Sequence, residues 1–144
     1  MRRRGGYEAP RSLLPLFVVL HAAVPLALIA EVVATGARPG PLWPLWLGAW
    51  FAAEWVRAAS MRALGDRWSM RIFVVPGEPP IRRGPYRFLA HPIYLAVTIE
   101  LAALPLLFGA WRTAIGAAIF NAVLLAVRIR FESQALRDAG PRPV

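Results

Sequence analysis

The chain has 144 residues, of which 58% are hydrophobic, and its mean hydropathy is +0.48. This composition is too apolar for an ordinary soluble domain and indicates a single membrane domain over residues 1–144. The absence of cysteine excludes disulfides, thiolate metal sites and cysteine nucleophiles, and two histidines are too few for a metal centre built from histidine. The formal net charge of +9 would suit nucleic-acid binding, but the placement of the charges argues against it.

Four apolar segments are long enough to cross a bilayer, whose hydrocarbon core takes roughly 20 residues of helix. They cover about residues 13–33, 42–61, 93–111 and 113–131. The connections 36–41 and 109–112 are short, so each pair of helices is expected to form a tight antiparallel hairpin. The predicted fold is an all-α integral membrane protein with four transmembrane helices in two hairpins. A cytoplasmic middle loop at about 62–92 and a C-terminal helix extension complete it.

Arginine placement predicts the orientation of these helices. Of the 17 basic residues, all but Arg38 and Arg112 lie in the N-terminal tail, the middle loop or the C-terminal segment. The positive-inside rule therefore places both termini and the middle loop in the cytoplasm. The high isoelectric point follows from this topology and requires no nucleic acid. Arginines also precede the first apolar run, as in a signal peptide, but three further spans follow, so this helix is expected to be retained.

The middle loop combines a strand pattern with turns. Residues 71–75 have strand character, 76–80 form a proline-rich turn, and 81–83 are expected to return as a second strand.

Residues 84–94 place a polar, turn-rich motif directly before the third apolar segment. Pro92 suits the first turn of a helix, because its missing N–H would have no partner there. His91 and Tyr94 are three residues apart at this helix start and therefore share a face. A helix N-terminus favours anionic groups, so the pair could bind an anionic part of a cofactor or act as acid and base. The alternative is that both side chains anchor the helix among lipid headgroups.

Polar residues inside apolar segments are candidate functional residues, because a charged side chain in hydrocarbon costs about 2.5–3.5 kcal/mol on insertion scales. Glu100 is the leading candidate, with a structural carboxyl as the alternative. Arg128 and Glu132 share a helix face and form either a polar clamp beside the 84–94 motif or an ordinary helix end. Structural roles are favoured for the remaining polar residues, which are His21, Glu31, Glu54, Arg57 and Asn121. Among them, Glu54 and Arg57 are three residues apart and are expected to form an ion pair.

These features resemble the isoprenylcysteine carboxyl methyltransferase family, especially its small prokaryotic members. The resemblance rests on the order of elements over about residues 64–136: Gly84-Pro85-Tyr86-Arg87, His91-Pro92-x-Tyr94, Glu100, Leu104-Pro105 and Arg128-x-Arg130-x-Glu132. Two positions depart from the family pattern. Ala90 stands where an arginine often precedes the His-Pro pair, and Ser133 stands where a second acidic residue often follows Glu132.

The resemblance implies an S-adenosyl-L-methionine-dependent methyltransferase that acts on a lipid-like or lipid-linked acceptor at the cytoplasmic membrane face. The implied cofactor-binding residues are Tyr86, Arg87, His91, Pro92, Tyr94, Arg128 and Glu132. The implied catalytic residues are Glu100, which would line the acceptor cavity, and His91. No metal is expected, and the expected partners are membrane lipids and a lipophilic or lipidated acceptor. A carboxylate acceptor needs no base, whereas a hydroxyl acceptor would need one, for which His91 and Glu100 are the candidates.

Three other functions fit the same pattern. A phospholipid N-methyltransferase would keep the same donor. An NADPH-dependent membrane reductase on a related scaffold would replace it, although no feature of the chain demands a site for a 2′-phosphate. A non-catalytic membrane scaffold would bind no ligand at the 84–94 motif.

Overall fold

The computed structural model describes residues 7–8, 13–69, 73–74 and 81–138, with side chains for 13–69 and 81–134. Four helices account for most of this part of the chain: α1 (Leu14–Thr35), α2 (Trp43–Leu64), α3 (Pro92–Leu107) and α4 (Trp111–Asp138). Two short 3₁₀ turns, Gly65–Arg67 and Gly84–Arg87, flank the middle loop. Strands β1 (Tyr7–Glu8) and β2 (Phe73–Val74) form a two-residue antiparallel pair.

Two of the four helices are long and apolar enough to cross a membrane over Leu14–Thr35 and Trp111–Gln134, and Pro92–Leu107 is a shorter apolar helix. Helix α2 has the length but carries Glu54, Arg57 and Arg62. The all-α fold with four helices is therefore as predicted, and the number of helices that cross the membrane remains a prediction. Helix α4, at about 1.5 Å per residue, is longer than the roughly 30 Å hydrocarbon core.

The helices pack in the order α1, α4, α3, α2. Helix α1 runs antiparallel to α4, because Phe17 lies beside Arg128 while Glu31 lies beside Thr113. The predicted tight hairpin between α1 and α2 is wrong, because these two helices make almost no contact with one another. A short connection fixes only the proximity of two helix ends, and α1 finds its packing partner in α4.

Glu31 joins the end of α1 to the start of α4. Its carboxylate accepts hydrogen bonds from the backbone N–H groups of Arg112 at 3.1 Å and Thr113 at 2.7 Å, and from the Thr113 hydroxyl at 2.7 Å. The first N–H groups of a helix have no partner within the helix, and a carboxylate is well suited to them. Glu31 therefore caps α4 from a different helix.

The turn between α3 and α4 is short, as predicted, but it lies earlier in the chain. Helix α3 ends at Leu107 and not near residue 111, and α4 already begins at Trp111. Gly109 between them has φ +75° and lies against the backbone of Arg38, where a side chain would collide with the Arg38 carbonyl oxygen. Only glycine meets both conditions at low cost.

The core is small and lies between α1, α3 and α4. Its buried apolar residues are Leu20, Val24, Leu101, Ala117 and Leu124. Asn121 is fully buried among them, and its Nδ2 donates to the Thr98 hydroxyl at 2.9 Å. This bond ties α3 to α4.

The predicted return strand at 81–83 is wrong. Strand β2 pairs instead with β1, with Tyr7 opposite Val74 and Glu8 opposite Phe73. The segment before Gly84 instead contacts the end of α2, where Arg83 Nε donates to the Ala63 carbonyl oxygen at 2.8 Å. The predicted turn at 76–80 lies outside the described residues.

Candidate active site

A cavity of about 810 Å³ lies where helix ends meet, between all four helices and the Gly84–Arg87 turn. Ligand cavities in proteins commonly enclose about 300–1,000 Å³. The polar residues that line it are His21, Glu54, Arg57, Arg67, Ser69, Tyr86, His91, Tyr94, Glu100, Arg128 and Glu132. The apolar residues that line it are Leu14, Phe17, Val18, Met61, Leu64, Trp68, Ala90, Ile93, Val97 and Leu125.

The Tyr94 hydroxyl is the centre of a polar cluster between α3 and α4. It donates to Glu132 Oε2 at 2.8 Å and accepts from Arg128 Nε at 2.9 Å. The Arg128 guanidinium also lies over the rings of Tyr94 at 5.5 Å and Phe17 at 5.4 Å. Because Arg128 and Glu132 are one turn apart on α4, a single tyrosine can join both. The cluster therefore brings a cation and a carboxylate from one turn of α4 together with aromatic rings from α3 and α1.

Two further aromatic side chains border this cluster. The His91 ring stacks on Tyr94 with centroids 5.0 Å apart and 8° between the planes. Tyr86 is half-buried, and burial together with the nearby charge of Glu132 raises its pKa to about 12. The stacking of His91 on Tyr94 agrees with the shared helix face that the sequence predicted for this pair, whereas Tyr86 comes from the Gly84–Arg87 turn.

A second charged group lies deeper between α2 and α3. Arg57 Nε donates to Glu100 Oε1 at 2.9 Å, and the same guanidinium pairs with Glu54. The sequence predicted the pairing of Glu54 with Arg57 but not the third member. Glu100 lies six residues after Tyr94, about 9 Å further along the helix at 1.5 Å per residue. The cavity therefore has two polar regions at different depths.

His21 was assigned a structural role from the sequence, but the structure places it on the cavity wall. Its Nδ1 lies 2.7 Å from the carbonyl oxygen of Phe17, one turn earlier in α1. The signal available in the sequence was a titratable residue inside an apolar helix.

Two predicted cofactor-binding residues do not line the cavity. Arg87 is exposed, and its guanidinium lies 5.6 Å from the centre of the Phe88 ring. Pro92 is buried as the first residue of α3, directly after His91 and two residues before Tyr94, so its role is to hold the helix start in place. Ala90 does line the cavity, so the small side chain leaves room where the family often has an arginine. Among the described residues, no group of three or more histidine, aspartate or glutamate side chains could hold a metal ion.

A cavity with both polar and apolar walls inside a helix bundle is typical of a site for a small molecule. The chain belongs to the isoprenylcysteine carboxyl methyltransferase (ICMT) family, whose family model matches residues 46–138. The predicted family is thereby confirmed, and membership indicates a membrane methyltransferase. Helix α1 lies outside the matched residues.

The chain is also similar to a Bacillus subtilis (strain 168) protein that carries the description "Uncharacterized protein YpbQ". The two are 36% identical over 138 residues, which cover 96% of this chain and 82% of the relative. No solved structure shows a significant match to the chain.

Proposed function

We propose that this protein uses S-adenosyl-L-methionine to methylate a lipophilic acceptor at the cytoplasmic face of the membrane. The observation that carries the proposal is the cluster of Tyr94, Arg128 and Glu132 on the wall of a cavity that also has an extensive apolar lining. When bound, this donor supplies a methyl carbon that is electrophilic because it is attached to a positively charged sulfur.

The chemistry of the cluster fits this donor. Its carboxylate, Glu132, suits the donor's ammonium or ribose hydroxyl groups, and its guanidinium, Arg128, suits the donor's carboxylate. The rings of Tyr86, His91 and Tyr94 offer faces that can attract a sulfonium or stack on adenine. The binding residues proposed from the sequence are therefore kept, apart from direct contact by Arg87 and Pro92.

An acceptor with a long apolar chain fits the gap between α1 and α2. These helices do not pack on one another, and both contribute apolar cavity walls, Leu14 and Val18 from α1 and Met61 and Leu64 from α2. An apolar chain bound against these walls would exclude water, which would favour methyl transfer because water competes for the electrophilic carbon. Alignment of the two substrates supplies the rest of the rate enhancement.

The cytoplasmic orientation is supported by the position of the cavity in the bundle. The polar cluster joins the start of α3 to the last third of α4, at the end of the bundle that carries most of the arginines. The positive-inside rule places that end in the cytoplasm, where the donor is available.

Calorimetric titration of the detergent-purified protein tests the donor. We expect S-adenosyl-L-methionine and S-adenosylhomocysteine to bind, and NADPH not to bind. Glu132→Ala should weaken donor binding at least tenfold, because the charge-assisted contact of a carboxylate is worth about 1.5–3 kcal/mol.

Asp66→Ala is the matched control, since it removes one exposed carboxylate outside the cavity. Equal affinity in wild type and Glu132→Ala would remove Glu132 from the donor site. Failure of the folded wild type to bind either donor compound would refute the proposed function, and NADPH binding would favour the reductase.

A further inference from the structure

A second groove lies on the outside of the bundle between α1 and α4 and has a volume of about 600 Å³. It shares no lining residue with the cavity of the candidate active site. Both helices that form it are long and apolar enough to cross a membrane, so the groove would face lipid. Its apolar walls consist mostly of exposed residues, which are Val19, Ala23 and Ala27 of α1 and Gly116, Ala117 and Phe120 of α4.

The polar residues of the groove all lie at one end. They are Glu31 and Thr35 near the end of α1 and Arg112 and Thr113 at the start of α4. The exposed Trp111 ring lies beside them, with its centre 5.3 Å from the Arg112 guanidinium. Tryptophan side chains concentrate where a membrane meets water. This end of the groove is therefore suited to the level of the lipid headgroups, and the apolar walls extend from it into the hydrocarbon.

The length of the groove matches one leaflet of a bilayer. From Glu31 to Val19, α1 advances by about 18 Å at 1.5 Å per residue. The hydrocarbon core is roughly 30 Å thick, or about 15 Å for each leaflet. An acyl chain occupies one leaflet and would fill this length, whereas a transmembrane helix of a second copy would need a partner surface along most of the core. The groove length therefore favours a lipid chain.

The charges at the polar end match a headgroup that carries both an anion and a cation. Arg112 is exposed and can donate hydrogen bonds to a phosphate. Glu31 accepts three hydrogen bonds from the start of α4, and a carboxylate has about four lone-pair positions. Among the residues that the structure describes, none donates to the remaining position. An ammonium group can use it, whereas a headgroup without a cation would meet an unmatched carboxylate.

We propose that this groove binds an aminophospholipid of the membrane, phosphatidylethanolamine, in the leaflet on the side opposite the candidate active site. Its phosphate contacts Arg112, its ammonium group contacts Glu31, and one acyl chain lies along the apolar walls between α1 and α4. A ligand that binds the folded protein stabilises it, so the lipid strengthens the packing of these two helices. The inference does not depend on the proposed methyl transfer, because donor and acceptor belong to the other cavity.

Native mass spectrometry of the detergent-purified protein measures this binding in titrations with phosphatidylethanolamine or with phosphatidylglycerol of the same acyl chains. We expect phosphatidylethanolamine to bind about two- to fivefold more tightly, because an ion pair at an exposed carboxylate contributes about this factor. Glu31→Gln keeps an acceptor oxygen for α4 but removes the charge, so it should abolish the preference between the two lipids.

The phosphate contact is tested by Arg112→Gln. This variant should bind phosphatidylethanolamine about fivefold more weakly, because a basic residue near the membrane surface contributes about that factor. Arg38→Gln is the matched control, since it removes the other arginine at this end of the bundle from a position outside the groove. Its affinity should equal that of the wild type.

The acyl chain is tested by filling the groove from either helix. Ala27→Trp and Gly116→Leu should each weaken lipid binding tenfold or more, about the effect of displacing two methylene groups from the groove. A Cβ atom at Gly116 meets nothing within 4 Å, so this substitution leaves the packing of α4 intact. Ala30→Trp is the control, because Ala30 is exposed on the same helix but does not line the groove.

Three results would overturn the proposal. Equal lipid affinity in the wild type, Ala27→Trp and Gly116→Leu would remove the acyl chain from the groove. Equal binding of the two lipids by the wild type, or full affinity in Arg112→Gln, would contradict the assigned headgroup. A wild-type dimer that Ala27→Trp converts to a monomer would place a second copy of the chain in the groove.

Discussion

Replacement of Arg57 by methionine should destabilise the helix bundle, because it removes the cation shared by two carboxylates. Arg57 Nε lies 2.9 Å from Glu100, and its guanidinium also pairs with Glu54. Removing one partner of a buried ion pair costs about 3–5 kcal/mol. Since the Arg57 side chain is 36% exposed and that of Glu100 is 14% exposed, solvent screens part of this loss. We expect a destabilisation of about 2–3 kcal/mol.

Thermal unfolding in detergent, followed by far-UV circular dichroism, measures this effect. On the scale of soluble domains of similar length, about 2–3 kcal/mol lowers the unfolding midpoint by roughly 4–12 °C. Arg62→Met is the matched control, because it removes the same charge from an exposed position on the same helix. Its effect should stay within about 0.5 kcal/mol.

The double variant Arg57→Met/Glu100→Gln tests the reasoning directly. Neutralising Glu100 removes the carboxylate that the first substitution leaves without its cation, so the double variant should be more stable than the sum of the single effects predicts. A coupling of about 1 kcal/mol or more is expected for a pair in contact. Additive single effects, within about 0.5 kcal/mol, would refute the ion pair as a stabilising contact.

Three further predictions concern the packing that supports the cavity. Gly109→Ala should destabilise the protein clearly more than Gly36→Ala in thermal unfolding, because both glycines have positive φ but only Gly109 is crowded by neighbouring backbone. Thr98→Val should cost about 1–2 kcal/mol by leaving the buried amide of Asn121 without its acceptor, and adding Asn121→Leu should recover part of that loss; equal stability of wild type and Thr98→Val would contradict this. Glu31→Ala should speed hydrogen exchange of the first-turn amides of α4, whereas Glu31→Gln, which keeps an acceptor oxygen, should speed it less; unchanged exchange in both would argue against the cap.

The sequence predicted much of the fold because hydrophobic length and proline position act locally. Four helices lie close to the predicted segments, and Pro92 begins α3 as its missing N–H suggests. The partner of α1 could not be predicted, because it depends on a contact across 82 residues, from Glu31 to Thr113. The length of a connecting loop carries no information about such a contact.

The candidate site was likewise predicted only in part from the sequence. Helix direction and short connections predicted that His91, Tyr94, Arg128 and Glu132 would lie at one end of the bundle, and all four line one cavity. The role of the Tyr94 hydroxyl as the link between the two α4 side chains needed atomic positions. His21 was missed for a related reason, since a helical pattern without a clear polar face does not say which side of α1 meets the cavity.

The contact between Gly109 and Arg38 has a mechanical consequence. It joins the two inter-helix turns to one another, and Glu31 fastens the adjacent end of α1 to α4. The end of the bundle away from the cavity is therefore held by these contacts and would serve as the pivot if α1, about 33 Å long at 1.5 Å per residue, were to tilt. A tilt of roughly 10° about that pivot would move the far end of α1 by about 6 Å, close to the width of an alkyl chain. Such a tilt would widen the cavity while leaving the opposite end of the bundle in place.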